Sequence, residues 1–129
     1  MVRLTAVAPQ LAVPDVIEAA NYYRDVLGFQ ISGTFGDPPV HAIVVRDEAH
    51  IFLGRSRTEA GASNRTLSPA GIDIYLWLEG LDEFAGEIGA RGGEIIEGPV
   101  TRSYGIREIV VRDLNGFVLA FGEDTGGAE

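Results

Sequence analysis

The chain has 129 residues, 46% hydrophobic and 22% charged, which suits one packed core of ordinary globular composition. A formal net charge of −9 has the wrong sign for a nucleic-acid partner, and the absence of cysteine excludes disulfides and thiolate metal ligands. No apolar run reaches the roughly 20 residues of a bilayer span, and the opening MVRLTAVAPQ lacks the long apolar segment of a secretory leader. A cytoplasmic protein with no membrane partner is the expectation.

A first strand through Leu11 and Val13 runs into Asp15, which can cap a helix, with Glu18 three residues on completing a capping box. Ile17, Ala20 and Tyr23 (or Val16, Ala19 and Tyr23), then Val26 and Leu27, recur at helical spacing, and Gly28 is placed to end the helix. Strands follow at about 29–34, 40–46 and 49–54. The polar, small-residue stretch RSRTEAGASNRTLSPAG reads as a connection. A strand through Ile74, Leu76 and Leu78 precedes a second helix on Leu81, Phe84 and Ile88, closed by Gly92-Gly93. The last strands fall at about 94–97, 105–112 and 116–121. Each half thus reads strand, helix, three strands: module 1 at about 4–54, a linker at about 55–70, module 2 at about 71–122 and a tail at 123–129. Halves this small bury little surface alone, so both are expected in one domain, 1–129.

The halves also repeat in sequence. The pentapeptide IVVRD occurs at Ile43–Asp47 and again at Ile109–Asp113, and IVVRDEAHIFLG aligns with IVVRDLNGFVLA at an offset of 66. Upstream, LAVPDVIEAANYYRDVLGF matches LWLEGLDEFAGEIGARGGE in pattern at an offset of 65.

Alternation along the strands sorts two faces. One holds Leu11, Val13, Ile43, Val45, Ile51, Leu53, Ile74, Leu76, Leu78, Ile109, Val111, Phe117, Leu119 and Phe121, and should pack under the helices. The other holds Ala8, Gln10, Ala12, Ala42, Val44, His50, Phe52, Gly54, Asp73, Tyr75, Trp77, Glu108, Val110, Val118 and Ala120, a mixture suited to a ligand cavity or to a half-exposed sheet. His41 falls on the opposite parity and carries no expectation. The fold class is α+β: two tandem βαβββ modules forming a curved mixed sheet around a cleft, helices outside.

Over essentially its whole length the chain resembles the vicinal oxygen chelate superfamily of glyoxalases, extradiol dioxygenases and bleomycin-resistance proteins. The motifs that carry the likeness are VPDVIEAANYYRDVLGF and YGIREIVVRDLNGFVLAFGE, the latter similar to the superfamily's final hairpin with Leu114 and Asn115 in place of the usual middle pair. The resemblance implies paired modules, a homodimer and, in the metalloenzymes, His, Gln or Glu ligands at repeat-related positions. Those positions fall here on Ala8, Asp73, Ala120 and either Gly54 or Phe52. Asp73 alone among them has a donor atom, so no metal and no other cofactor is expected. A rearranged set of His50, Asp73 and Glu108 lacks the family spacing.

Loss of the metal is shared with the bleomycin-resistance branch, which implies sequestration or carriage of a cationic or aromatic small molecule. The expected ligand-binding residues are Gln10, His50, Phe52, Asp73, Tyr75, Trp77, Tyr104, Glu108 and Val110. Tyr75 and Trp77 offer stacking or cation–π faces, Phe52 and Val110 apolar wall, Gln10 and His50 hydrogen bonds, and Tyr104 could close the mouth. Asp73 and Glu108 could meet a positive group, yet Asp73 could equally cap a turn and Glu108 could pair with Arg46 or Arg112. The opposing reading is a metal-independent isomerase, epimerase or lyase in which Asp73 or Glu108, with a raised pKa, exchanges protons with help from His50. A third is a module for a protein partner. No nucleophile–base constellation at fixed spacing favours catalysis.

Overall fold

The computed structural model describes residues 1–126; the last three residues of the expected tail lie outside the described residues. The chain separates into two compact units, Met1–Gly61 and a second that begins at Ala62.

In the first unit β1 (Gln10–Val13) leads to α1 (Val16–Asp25), then β2 (Gln30–Phe35), β3 (His41–Arg46) and β4 (Ala49–Arg55). The second repeats the series as β5 (Ile74–Trp77), α2 (Leu81–Ala90), β6 (Glu94–Thr101), β7 (Ile106–Arg112) and β8 (Val118–Asp124), after a single 3-10 turn at Asn64–Thr66. Each unit builds its own four-stranded mixed sheet, ordered β1-β4-β3-β2 and β5-β8-β7-β6. The first strand of each unit pairs in parallel with the last, and the other neighbours are antiparallel. The fold is α+β, and the two helices stand 65 residues apart, as the upstream repeat predicts. The expected tail begins too early, since β8 continues to Asp124.

The helices start by different means. The Asp15 carboxylate accepts from the backbone N–H of Ile17 and Glu18, each at 3.0 Å, which satisfies donors that the helix itself leaves free. At α2 the capping position is Gly80, which has no side chain to offer. There Glu123, arriving from β8, accepts from the N–H of Gly80 and Leu81, each at 3.1 Å. The helix is therefore capped by its own sheet, a long-range contact that no local motif announces.

The faces of the first sheet differ from the sequence expectation at β3. Ile43 pairs with Phe52, Val44 with Ile51 and Ala42 with Leu53. Residues in register across an antiparallel pair share a face, so Ala42 and Val44 lie with Ile51 and Leu53 in the core under α1. All four are at most 1% exposed. Ile43, Val45 and His41 therefore lie on the other face, the reverse of the assignment made from alternation.

The reason is a one-residue slip between the two IVVRD copies. In β7 it is Ile109 and Val111 that pair with Phe121 and Leu119 in the core, so the identical pentapeptides present opposite faces. A two-residue turn at Asp47-Glu48 closes the first hairpin, because Arg46 pairs with Ala49. In the second hairpin Arg112 pairs with Val118, leaving a five-residue loop. Because side chains alternate with period two, such a slip reverses every facing.

Replacing Glu123 with Ala should speed amide hydrogen exchange at Gly80 and Leu81 and lower the melting temperature. The N–H groups of Leu81 and Gly80 hold the Glu123 carboxyl below its ordinary value of 4.5, so its contribution is complete above that pH and is lost on acidification. The gap between wild type and variant should accordingly narrow below about pH 4 in thermal melts.

Candidate functional site

Each sheet has one face under its helix and one face without it; most of the expected site residues divide between the two helix-free faces, while Asp73 precedes β5 and Tyr104 lies between β6 and β7. Gln10 on β1 sits in register with Phe52 on β4, and both are exposed. With Phe35, His41, Ala42 and Ile43 they line a groove of about 320 Å³. His50 lies beside the hairpin turn, in register with Val45, and does not line that groove.

Gly54 shapes the groove's polar end. A Cβ there would stand 2.4 Å from Gln10 Nε2 and 3.6 Å from His41 Cδ2. Only glycine leaves room for the Gln10 amide to lie across the sheet beside the imidazole. His41 and Phe35 are groove residues that the sequence reading missed. Once β3 is set with Val44 inward, the same alternation would have found His41.

The second unit gathers Tyr75, Trp77, Tyr104 and Glu108. Gly122 performs the task of Gly54: a Cβ on it would overlap the Tyr75 ring and hydroxyl, so the ring crosses β8 there to reach β7. The Tyr75 hydroxyl donates to Glu108 Oε2 at 2.6 Å, and the Tyr104 hydroxyl to the same oxygen at 3.2 Å. Arg102 Nε donates to Glu108 Oε1 at 2.8 Å, while its Nη2 reaches Glu97 at 2.8 Å. Arg65 adds a longer contact of 3.4 Å to the other oxygen of Glu97.

Glu108 is only 5% exposed. Burial opposes its ionisation, but hydrogen bonds from Tyr75, Arg102 and Tyr104 outweigh that penalty and hold the carboxyl below its ordinary value. Burial, with Glu108 second, pushes the Tyr75 hydroxyl up, and the two carboxylates raise Arg102 further. Glu97 is lowered, chiefly by Arg102. The raised carboxyl pKa expected for an acid–base Glu108 is therefore reversed in sign. The expected partners are also corrected: Arg46 donates to the carbonyl of Leu27 and Arg112 to Glu94, while Arg102, from the β6–β7 turn, takes Glu108.

Above this network two rings remain open to solvent. Tyr75 and Trp77 have centroids 4.9 Å apart with planes tilted by 52°. Trp77 is 64% exposed, and Tyr104 stands beside the network at 61%. Val110 has a different setting, since it is buried with Val118 and Ala120 beneath Ile72 and Ile96.

Asp73 has its carboxylate fully engaged. It accepts from the Ser63 hydroxyl and from the backbone N–H groups of Asn64 (2.7 Å) and Val118 (2.8 Å). The turn-capping alternative describes its geometry, because these bonds tie the 3-10 segment to β8. The positions implied for a metal do not fit one. Ala8, Phe52, Gly54 and Ala120 carry no ligating atom, and Asp73 is committed elsewhere. Among the described residues no three His, Cys, Asp or Glu side chains form a group that could hold an ion.

A βαβββ module is made twice, with a helix on one face of each sheet and small, aromatic and polar residues on the other. The sequence matches the Glyoxalase/Bleomycin resistance protein/Dioxygenase superfamily over residues 3–121, and the chain belongs to that superfamily. No curated protein matches it in sequence. Among solved structures it is similar to TioX from Micromonospora sp. ML1, with a TM-score of 0.75 at 21% identity over 93% of this chain and 98% of that one. A glyoxalase-related enzyme from Clostridium phytofermentans gives 0.76 at 16% identity over 95% and 97% of the two chains. A virulence protein from Salmonella typhimurium gives 0.69 at 24% identity over 95% and 98%. At these identities the likeness is one of fold.

Replacing Glu108 with Gln keeps the shape but removes the charge that three donors share. The expected cost is about 2 kcal/mol of unfolding free energy at neutral pH, read by urea denaturation. Since the folded carboxyl lies below its unfolded value, this contribution is present at neutral pH and lost on acidification, so the two proteins should converge in acid.

Proposed function

We propose that this protein is a metal-free small-molecule binding protein that sequesters or carries an aromatic ligand, acting in the cytoplasm as a homodimer. The observation that carries the reading is the pair of exposed rings, Trp77 beside Tyr75, anchored on an internally neutralised ionic network. A ring fixed by a hydrogen bond loses little freedom when a ligand stacks on it, so the platform is ordered before binding. The superfamily resemblance supports the homodimer, and no helix among the described residues is long and apolar enough to cross a membrane.

Of the two ligand chemistries foreseen, the network favours the aromatic one. Glu108 and Glu97 are matched by Arg102 and Arg65, which leaves little carboxylate charge there for a cation. The exposed Trp77 face accepts either a flat ring or, through its quadrupole, a cationic edge. The acid–base reading has less support. Glu108 is stabilised as the anion and its oxygens are already hydrogen-bonded, and Asp73 is spent on backbone and Ser63 donors.

Trp77, the chain's only tryptophan, reports on its own neighbourhood. Titration with metal-free and copper-loaded bleomycin, against a free-tryptophan control for absorption, should give saturable quenching at one ligand per chain. Trp77→Leu should then weaken binding by about 1 kcal/mol, measured by calorimetry. A flat titration with both forms removes bleomycin as the ligand. Unchanged affinity in the Trp77→Leu variant would contradict the platform itself.

A further inference from the structure

The five-residue loop between β7 and β8, Asp113 to Phe117, places an asparagine directly before a glycine. An asparagine side chain can close a five-membered ring onto the next backbone nitrogen, and a glycine there has no side chain to hinder the approach. The chain has three asparagines, and Asn115 is the only one followed by glycine. Asn21 lies within α1 and precedes Tyr22. The Asn64 amide donates to the Ile72 carbonyl at 2.8 Å, and the nitrogen that follows it, of Arg65, donates to Ser63 Oγ at 3.1 Å.

At Asn115 the side chain is free and its surroundings are open. The carboxamide has no hydrogen-bond partner among the described residues, and only the backbone N–H is engaged. Asn115 and Gly116 are both half-buried, so water reaches them. Gly116 has φ +88°, and a Cβ built on it would meet no atom within 4 Å. One restraint opposes reaction. The Gly116 N–H donates to the Asp113 carbonyl at 3.1 Å, and Asp113 Oδ1 accepts from the N–H groups on either side, of Asn115 at 2.8 Å and Phe117 at 2.9 Å.

We propose that Asn115 is a modification site at which the protein deamidates spontaneously, with the Asp113 clasp setting the pace. The Gly116 nitrogen gives its proton to solvent and attacks Asn115 Cγ. The new C–N bond forms, the Cγ–Nδ2 bond breaks, and the side-chain nitrogen leaves as ammonia after taking a proton from water. Water then opens the succinimide at either carbonyl, leaving aspartate or isoaspartate. No oxidant or reductant takes part. Reaction runs from the fraction of molecules in which the loop is locally open. The product adds one negative charge to a chain whose net charge is −9. Isoaspartate also lengthens the main chain between the two N–H groups that Asp113 Oδ1 holds, so the clasp no longer fits both.

The full-length protein can be incubated in mildly alkaline buffer beside the free peptide RDLNGFV, with both followed by peptide-mapping mass spectrometry. A gain of one mass unit is expected at Asn115, with isoaspartate detected by an isoaspartyl-specific methyltransferase, while Asn21 and Asn64 stay intact. Conversion should be slower than in the peptide by roughly fivefold or more, the equivalent of about one hydrogen bond. Hydrogen exchange at the Gly116 amide should be slowed by a comparable factor, because the same opening governs both. Asp113→Ala should bring the rate towards that of the peptide. Urea below the unfolding transition should do the same in the wild type, whether or not that variant folds. Asn115→Gln, which must close a larger ring, should stay intact. Three results would each overturn the proposal: Asn115 still intact when the peptide rate divided by the Gly116 protection predicts half conversion, equal conversion at Asn64, or a rate indifferent to urea. The readout needs no ligand, so it stands or falls separately from quenching at Trp77.

Discussion

Side chains along a strand alternate between two faces, and in each sheet of this protein one face is committed to a helix. That constraint governs everything else. Ala42, Val44, Ile51 and Leu53 must lie under α1, and Ile109, Val111, Leu119 and Phe121 under α2, since exposing either set would forfeit burial worth about 1.5–3 kcal/mol for each large side chain. What remains faces the other way: Gln10, His41, Ile43 and Phe52 in one sheet, Tyr75, Trp77 and Glu108 in the other. Aromatic and polar side chains stand on positions that the core does not claim.

The two modules show how one scaffold can diverge at matched positions. Gln10 and Tyr75 occupy equivalent places, 65 residues apart, and each crosses a glycine of the neighbouring strand. In the second unit the crossing side chain ends in a closed network, where Tyr75, Tyr104 and Arg102 converge on one buried carboxylate. The result is a rigid base for exposed rings, with little charge left over. In the first unit the crossing amide ends beside an imidazole that has no hydrogen-bond partner among the described residues, in a groove walled by phenylalanine.

Much of this was legible in the chain, and the failures have local causes. Helical spacing at Ala19, Ala20, Tyr23, Phe84 and Ile88, and the Asp15 cap, are short-range signals, so the order of elements and the superfamily could be read directly. Facing in β3 could not be read from the repeat, because IVVRD is identical in both modules while a two-residue turn in one hairpin and a five-residue loop in the other shift its register. The sequence-identical stretch was the misleading one. Arg102 was missed because it lies in a turn, and β6 extends to Thr101, beyond the expected end at residue 97. The role of Asp73 was left open between ligand and turn, and its three hydrogen bonds show the turn. Glu123 as the cap of α2 lies more than forty residues from its partners, beyond the reach of any local pattern.

The facing of β3 is the claim on which the groove, and the contrast between the two units, depends. The chain has no cysteine, so single cysteines placed at residues 41, 42, 43 and 44 can be compared cleanly for their rate of reaction with a maleimide in the native state. Fast labelling at 41 and 43, with protection at 42 and 44 that is lost in denaturant, is the predicted pattern. Fast labelling at 42 and 44 with protection at 41 and 43 would put Ile43 under α1, as the repeat alone suggests, and would contradict the account.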